Sequence, residues 1–110
     1  MVVLTWGPGD EGRAKEVRNR VGHGVFLFPT PNFKRLGALQ QRCRVFVSAD
    51  GGAMHFSTAV GTPTVGLFGK TDPRLWAPWG DGHVTLRRGK DADLVSVEDV
   101  YQSLVKWIRN

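Results

Sequence analysis

Short apolar runs alternate with stretches of helical periodicity, and this alternation constrains the fold more than any other feature of the sequence. Five runs are predicted to be strands: VVLTW (2–6), GVFLF (24–28), RVFVSA (44–49), TVGLFG (64–69) and HVTLR (83–87). Helices are predicted over EGRAKEVRNRV (11–21), FKRLGALQQRC (33–43), GAMHFSTAVG (52–61) and SVEDVYQSLVKWIRN (96–110). Parallel neighbours need crossover helices, so this order indicates a parallel sheet of about five strands with helices on both faces. The predicted fold class is α/β.

Capping residues stand where three of the predicted helices should begin. Asp10 and Asn32 are suited to cap the first and second helices, and Ser96 with Asp99 has the spacing of a capping box before the last one. Apolar residues recur on one face of two of these helices: Phe33, Leu36 and Leu39 in the second, and Val97, Val100, Tyr101, Leu104 and Ile108 in the last.

Length and composition indicate one ordinary globular domain. A chain of 110 residues suits a single core, so residues 1–110 are expected to form one domain. The stretch from Val45 to Phe68 is interrupted by glycines and Pro63 and does not predict a membrane span, and the first residues lack the basic region of a signal peptide. The single cysteine, Cys43, excludes an internal disulfide and fits a reducing cytoplasm. We therefore expect a cytoplasmic protein.

The net charge of +5 favours anionic partners such as phosphates, nucleic acid or acidic lipid headgroups. A small domain with an Arg-rich first helix reaches that charge without binding nucleic acid, and the strands carry no aromatic and basic motif of the kind that binds RNA. We therefore expect no nucleic-acid partner. A basic nucleic-acid-binding domain would instead bind unrelated oligonucleotides with a steep dependence on salt.

The turn after the third predicted strand, SADGGAMH, is the most informative stretch of the sequence. Ligands of parallel sheets bind beyond the carboxyl ends of the strands, where the chain turns into a helix. Gly51 and Gly52 would let a phosphate approach the free amides of the helix start, and His55 could donate a further hydrogen bond or protonate a leaving oxygen. The turn is equally consistent with a structural helix start, in which Asp50 accepts amide hydrogen bonds and His55 packs against a strand. It lacks the Lys and Ser/Thr ending of a P-loop.

Two further turns carry candidate ligand contacts. After the fourth strand, Lys70 and Thr71 offer a cation and a hydroxyl beside the first turn if strands three and four are neighbours. Trp76 and Trp79 follow in the same loop and are as readily explained as a cover over the core edge. In WGPGDEG, Glu11 could hold a ribose diol or a sugar hydroxyl, although stabilisation of the helix dipole explains it equally well.

These stretches together resemble a known family. WGPGDEGRAKEV followed by ALQQRCRVFVSADGGAMHFSTAVGTPTVGLFGKTDPRLWAPWG is similar to the C-terminal half of the lipopolysaccharide heptosyltransferases, the ninth glycosyltransferase family. The shared features are an Asp, Ser/Thr, Gly, two residues, His motif, a following G-x-P-x-V-x-L-F/Y-G-x-T segment and an earlier turn with a glutamate. The resemblance covers the chain from residue 3 to about residue 80.

The resemblance implies a fold and an activity. Members are GT-B-type enzymes with two Rossmann-like domains facing a cleft, of which the C-terminal one binds the sugar nucleotide, usually ADP-heptose. The N-terminal one binds the lipopolysaccharide core acceptor and supplies the catalytic base. Transfer inverts the anomeric centre without a bound metal, and no cofactor is implied. The chain would then be the donor-binding half of such an enzyme, inactive by itself, whose parent works at the inner face of the bacterial inner membrane through peripheral association.

Carried over position by position, the resemblance assigns Asp50, Gly52 and His55 to the motif, Glu11 to the nucleoside and Thr71 to the threonine after the fourth strand. The full predicted nucleotide-sugar site comprises Glu11, Asp50, Gly51, Gly52, Ala53, His55, Lys70 and Thr71, with His55 as the catalytic candidate that stabilises the leaving group.

Two of these positions depart from the family pattern. Gly51 stands where a Ser or Thr hydroxyl is expected, and Lys70 stands where a small or neutral residue is usual. These departures, together with the absence of the acceptor domain, leave a non-catalytic nucleotide- or phosphate-binding module as the alternative function.

Overall fold

The computed structural model describes residues 1–49, 51–70 and 82–108. Trp76 and Trp79 therefore lie outside the described residues. The chain divides into two compact units, Met1–Arg35 and Leu36–Asn110. Among the described residues, no helix is long and apolar enough to cross a membrane.

The first unit is a strand, helix, strand segment. Strand β1 (Val2–Leu4) pairs in parallel with β2 (Val25–Leu27), and helix α1 (Glu11–Val21) connects them. Helix α1 ends at Gly22, whose φ of 91° suits glycine and whose N–H donates to the Arg18 carbonyl at 2.9 Å. The predicted side-chain cap at Asp10 is wrong: Asp10 makes no side-chain capping bond, because its φ of −105° and ψ of 7° lie outside the extended conformation typical of capping residues.

The second unit contains a three-stranded parallel sheet in the order β3-β4-β5. Helix α2 (Phe33–Gln41), in which the boundary between the units falls, precedes β3 (Phe46–Ala49), and α3 (Gly52–Ala59) connects β3 to β4 (Thr64–Phe68). After β5 (Val84–Arg87) come a 3₁₀ turn (Ala92–Leu94) and helix α4 (Val97–Ile108).

Two of the predicted helix caps are confirmed. The Arg35 N–H donates to Asn32 Oδ1 at 3.0 Å, as expected of a residue that caps α2. At the start of α4, the Asp99 N–H donates to Ser96 Oγ at 3.0 Å, and the Asp99 carboxylate accepts a hydrogen bond from the Ser96 backbone. This reciprocal pair is the predicted capping box.

The core of the second unit lies between α3 and the central strand β4. Met54, Val65 and Phe68 are fully buried there. A Cβ added at Gly66 would lie 2.6 Å from Met54 Sδ and 3.0 Å from Phe68 Cε1, so this glycine permits the close approach of α3 to the strand. Of the small residues in and just after α3, Ser57 is fully buried, whereas Ala59 and Gly61 are exposed.

The α/β fold class and the order of the elements are confirmed. All five predicted strands are present among the described residues, all are parallel, and each is shorter than predicted. They form two sheets, of two and three strands, one in each unit. Helix α1 has the predicted bounds, while α2 and α3 end two residues earlier than expected.

Candidate functional site

The turn between β3 and α3 presents two exposed glycines. Strand β3 ends at Ala49 and α3 begins at Gly52, while Asp50 lies outside the described residues. A Cβ added at Gly51 or Gly52 would meet no atom of the described residues within 4 Å. Gly51 has a φ of 161° and a ψ of −173°, which is extended backbone open to any residue. No described residue therefore fills the space beside this backbone, where a ligand would approach.

The start of α3 is a donor-rich helix N-terminus. The first N–H groups of a helix have no acceptor within it, and they carry about half a positive charge together with the helix dipole. In the described residues, the first intrahelical bond of α3 runs from the His55 N–H to the Gly51 carbonyl at 3.4 Å. The amides of Gly52, Ala53 and Met54 precede it. Half-buried His55 lies next to this first turn, and its carbonyl accepts a bond from Thr58 Oγ1 at 2.9 Å.

Hydrogen bonds between buried hydroxyls attach α3 to β4. Thr64 Oγ1 donates to the Thr62 carbonyl at 2.8 Å, so the 2.7 Å bond between Ser57 and Thr64 has Ser57 Oγ as its donor. Ser57 and Thr64 are both fully buried. Buried hydrogen bonds restrict motion because breaking one leaves an unsatisfied polar group. The helix that carries the candidate phosphate turn is therefore held against the sheet.

A side-chain amide supports the first turn of α3 from helix α2. Gln40 is fully buried, and its Nε2 donates to the Ala53 carbonyl at 2.9 Å. Its own backbone carbonyl accepts from Thr62 Oγ1 at 2.7 Å. No described residue donates to Gln40 Oε1, and an unsatisfied buried acceptor costs about 1–3 kcal/mol.

The end of β4 lies at the same sheet edge as this turn. Strands β3 and β4 are paired in parallel, with Ala49 opposite Leu67. Lys70 was expected to lie beside the glycine turn only if these two strands are neighbours, and this condition is met. A Cβ at Gly69 would lie 2.5 Å from the Ala92 backbone nitrogen, which fixes the chain before exposed Lys70. Thr71 lies outside the described residues.

Arg87 further anchors the end of β4. Its Nε donates to the carbonyls of Gly69 and Gly89, each at 3.1 Å. Arg87 closes the neighbouring strand β5 and faces Phe68 in the sheet register. It therefore adds a cation at the carboxyl edge of the sheet, near the backbone that precedes Lys70.

Glu11 belongs to the first unit. It is the first residue of α1, and its carboxylate lies 3.6 Å from Lys15 Nζ in an exposed i,i+4 pair. This position suits stabilisation of the helix dipole. The other described members of the predicted site, Gly51, Gly52, Ala53, His55 and Lys70, all belong to the second unit.

Sequence reasoning missed Gln40, Gly66 and Arg87 as supports of the site. Arg87 ends a predicted strand, and its place at a carboxyl edge was a usable signal. Gln40 carried no such signal, because a glutamine in an amphipathic helix is usually expected on the solvent side.

Three described groups away from this turn have shifted pKa values: Cys43, Asp99 and Arg88, whose pKa is raised by its hydrogen bond to Asp99. Burial raises the pKa of the Cys43 thiol, whose Sγ donates to the Leu39 carbonyl at 3.3 Å, and this favours the protonated thiol over the thiolate. A hydrogen bond from Arg88 lowers the pKa of the Asp99 carboxyl. Among the described residues, no group of three or more His, Cys, Asp or Glu side chains is arranged to hold a metal ion.

The apolar stripe of α4 lines a separate open hollow of about 360 Å³. None of the described members of the predicted nucleotide-sugar site lines it. Val97 in this stripe is 87% exposed, and Phe33 in the predicted α2 stripe is 64% exposed, so both stripes are buried only in part. The lining residues are Val95, Ser96, Val97, Val100, Tyr101 and Leu104.

Comparison with known proteins identifies the family of the chain. Residues 1–102 match the family model for glycosyltransferase family 9 (heptosyltransferase). The chain belongs to glycosyltransferase family 9. It is 33% identical over 94 residues to lipopolysaccharide heptosyltransferase 3 of Escherichia coli, covering 80% of this chain and 27% of the relative. It is 30% identical over 80 residues to lipopolysaccharide heptosyltransferase 1 of Salmonella typhimurium, covering 72% and 25% respectively.

Solved structures of this family share the fold. The E. coli heptosyltransferase WaaC with ADP matches with a TM-score of 0.85 and 26% identity, covering 96% of this chain and 33% of WaaC. The family 9 glycosyl transferase from Veillonella parvula matches in fold, with a TM-score of 0.71, 21% identity and coverage of 94% and 29%. The resemblance inferred from the sequence is confirmed, and the chain spans a third or less of the length of these relatives.

Proposed function

We propose that this chain is the nucleotide-sugar-binding domain of an inverting family 9 glycosyltransferase that transfers a heptose from an ADP-sugar. The observation that carries the proposal is the open, glycine-lined start of α3 beside the end of β4, in a chain that matches WaaC with ADP over 96% of its length. A helix N-terminus with accessible backbone favours a phosphate ligand. The diphosphate of the donor would occupy this turn.

The chemical contribution of the chain would be stabilisation of the leaving group. As the acceptor hydroxyl attacks the anomeric carbon, the bond from that carbon to the diphosphate oxygen breaks and its electron pair stays on the diphosphate. The amides of Gly51, Gly52 and Ala53 would donate to the growing charge, with the amide of Met54 beside them and His55 as a further donor. Such donors accelerate the reaction to the extent that they bind the charged leaving group more tightly than the intact donor.

Exposed Lys70 is the second proposed phosphate contact. A lysine ammonium can provide by charge the attraction that the missing hydroxyl at Gly51 would have provided by a hydrogen bond. Asp50, Thr71 and Glu11 keep the roles implied by the family motif, with Glu11 on the nucleoside. These three assignments rest on the resemblance.

The acceptor and its base would come from the remainder of a longer enzyme, since the chain spans a third or less of its relatives. The proposed acceptor is the lipopolysaccharide core, reached at the inner face of the inner membrane. The 110-residue chain by itself would bind donor without transferring sugar.

An ADP titration of the ¹⁵N-labelled chain tests the proposal. We expect saturable shifts in the amide resonances of Gly51, Gly52, Ala53, Met54 and His55, while adenosine, which lacks phosphates, leaves them in place. Saturating ADP without any movement of these resonances would contradict the proposal.

A matched pair of histidine variants tests the role of His55. A hydrogen bond to a charged group contributes about 1.5–3 kcal/mol, so His55→Gln should weaken ADP binding by about tenfold or more. His23→Gln changes an exposed histidine of the first unit and should leave the affinity unchanged. Equal affinities for both variants in calorimetry would remove His55 from the site.

Sugar transfer by the longer protein separates the enzyme from the non-catalytic module. Both functions predict ADP binding, but only the enzyme releases ADP when supplied with ADP-heptose and a core acceptor. A longer protein that binds ADP and transfers no sugar would favour the module, which the glycine at position 51 otherwise suggests.

A further inference from the structure

Gln40 is a fully buried polar residue whose conformation is set by α3. Its Nε2 lies 2.9 Å from the Ala53 carbonyl oxygen, which can only accept a hydrogen bond, so the orientation of the carboxamide is determined by chemistry. Its backbone carbonyl accepts from the hydroxyl of buried Thr62 at 2.7 Å. The residue thus connects the end of α2 to the first turn of α3 and to the loop between α3 and β4.

Packing alone does not explain an amide at this position. Gln40 Oε1 is buried without a donor among the described residues, and an apolar side chain of similar length would avoid that cost. A fold that buries a polar side chain with only some of its hydrogen bonds made is usually less stable than a fold with an apolar side chain at that position. The hydrogen bond to Ala53 is therefore the feature that distinguishes glutamine from methionine or leucine here.

The bond to Ala53 acts on one of the amides at the start of α3. The Ala53 carbonyl and the Met54 N–H belong to the same rigid peptide plane, so fixing the carbonyl fixes the N–H at its other side. Met54 N–H directly precedes the first intrahelical donor of α3, that of His55. A donor on the carbonyl also polarises the peptide and makes its N–H a stronger donor.

We propose that Gln40 is a positioning residue for phosphate recognition: its buried carboxamide orients and polarises the Ala53–Met54 peptide so that the first turn of α3 binds the donor diphosphate. This inference rests on the proposed function for the identity of the ligand. The orientation of the peptide by Gln40 is a property of the chain without ligand and is testable by itself.

The test compares Gln40→Met with Gln41→Met. Gln41 is the neighbouring residue of the same type and is exposed, so its replacement controls for the loss of a glutamine from the end of α2. Gln40→Met should keep or raise the thermal midpoint, since the unsatisfied oxygen is removed. It should raise the Kd for ADP and for inorganic pyrophosphate by about threefold to tenfold, the range of one neutral hydrogen bond. Gln41→Met should change neither property.

The inference is decided by whether Gln40→Met weakens ADP binding without lowering thermal stability. A Gln40→Met variant that binds ADP like the unmodified chain overturns it. So does a variant that loses affinity together with thermal stability, since a merely structural role predicts that result. Gln40→Leu is the second apolar replacement if methionine disturbs the fold.

Amide spectra of the unliganded chain distinguish this failure from failure of the proposed function. If Gln40 orients the turn, Gln40→Met shifts the Met54 N–H resonance and speeds its hydrogen exchange, with the resonances of β5 unchanged. If the unmodified chain binds neither ADP nor pyrophosphate, the proposed function fails, and this spectrum still decides whether Gln40 orients the turn. An unshifted Met54 resonance overturns the inference whatever the binding result.

Discussion

Gly51 is the residue at which this chain departs from the motif of its family, and its conformation does not require glycine. Its backbone is extended, and a Cβ there would meet no described atom within 4 Å. It is also the residue that precedes α3, where serine is among the favoured caps. The structure therefore accommodates the hydroxyl that the sequence lacks.

Gly51→Ser should bind ADP more tightly and fold at least as stably. One added hydrogen bond is worth about 0.5–1.5 kcal/mol, which corresponds to a gain of roughly twofold to tenfold in affinity. Calorimetry and thermal unfolding measure the two effects. Gly51→Ala is the control, because it adds the Cβ without the hydroxyl and should not improve binding. Equal affinity of the serine and alanine variants would show that no phosphate lies within reach of this position.

Gly69 is a glycine that the packing requires. Its missing Cβ would lie 2.5 Å from the Ala92 nitrogen and 2.9 Å from the Asp91 carbonyl carbon, and these are backbone atoms that cannot rotate away. Gly69→Ala should destabilise the fold by about 1–3 kcal/mol, the usual cost of forcing atoms into filled space. Gly12→Ala is the control, since its Cβ meets nothing within 4 Å in the described residues. Urea unfolding of the two variants measures the difference, and equal stability would contradict the tight contact.

At the scale of elements, the capping box of α4 extends to an ion pair. Asp99 accepts from Arg88 Nε at 3.0 Å as well as from Ser96, which connects the helix start to the residue after β5. The hydrogen bond to Arg88 is the largest cause that lowers the pKa of Asp99. Sequence spacing predicted the cap but not Arg88, because Arg88 and Asp99 meet only after β5 and α4 have packed.

Acid should weaken this connection. Because the pKa of Asp99 is lower in the folded state, its stabilising effect is complete above the ordinary carboxyl range and is lost as pH falls through the folded pKa. The thermal midpoint of the unmodified chain should fall between neutral and acidic pH. It should fall less in Asp99→Asn and in Arg88→Met. The double variant should add little beyond either single change, since both remove one interaction. Additive effects would contradict the pairing.

For the whole molecule, the two units differ in how many paired and buried strands oppose local unfolding. The first contains a two-stranded sheet with strands of three residues, and two strands alone are marginally stable. The second contains three strands with fully buried Val65 and Phe68 in the middle one. The order of the elements in the sequence does not reveal this difference, since the strands of both units have similar composition.

Hydrogen exchange of the isolated chain should follow that difference. Amides of β4 are expected to be the most protected, and those of β1 and β2 should exchange faster, because local opening exposes less apolar surface there. Two-dimensional NMR after transfer to deuterated water measures the rates. Equal protection of β2 and β4 would show that both units open only together.

The sequence was enough to predict the order and type of the elements, the two glycine turns at strand ends and the family. These features depend on local periodicity, on residues such as Asn32 and Ser96 that cap the next turn, and on short motifs. The ligand contacts assigned to the residues of the candidate site all remain predictions, including those of Asp50 and Thr71.

The residues that hold the candidate turn in place can be seen only in the folded chain. Gln40 meets Ala53, Arg87 meets Gly69, and a Cβ at Gly69 would strike the 3₁₀ turn, each across a long sequence separation. Such contacts arise from how helices and strands pack, and neither periodicity nor composition encodes the distance between two remote atoms. The glycines at the turn could therefore be predicted from the sequence, while the groups that hold the turn in place could not.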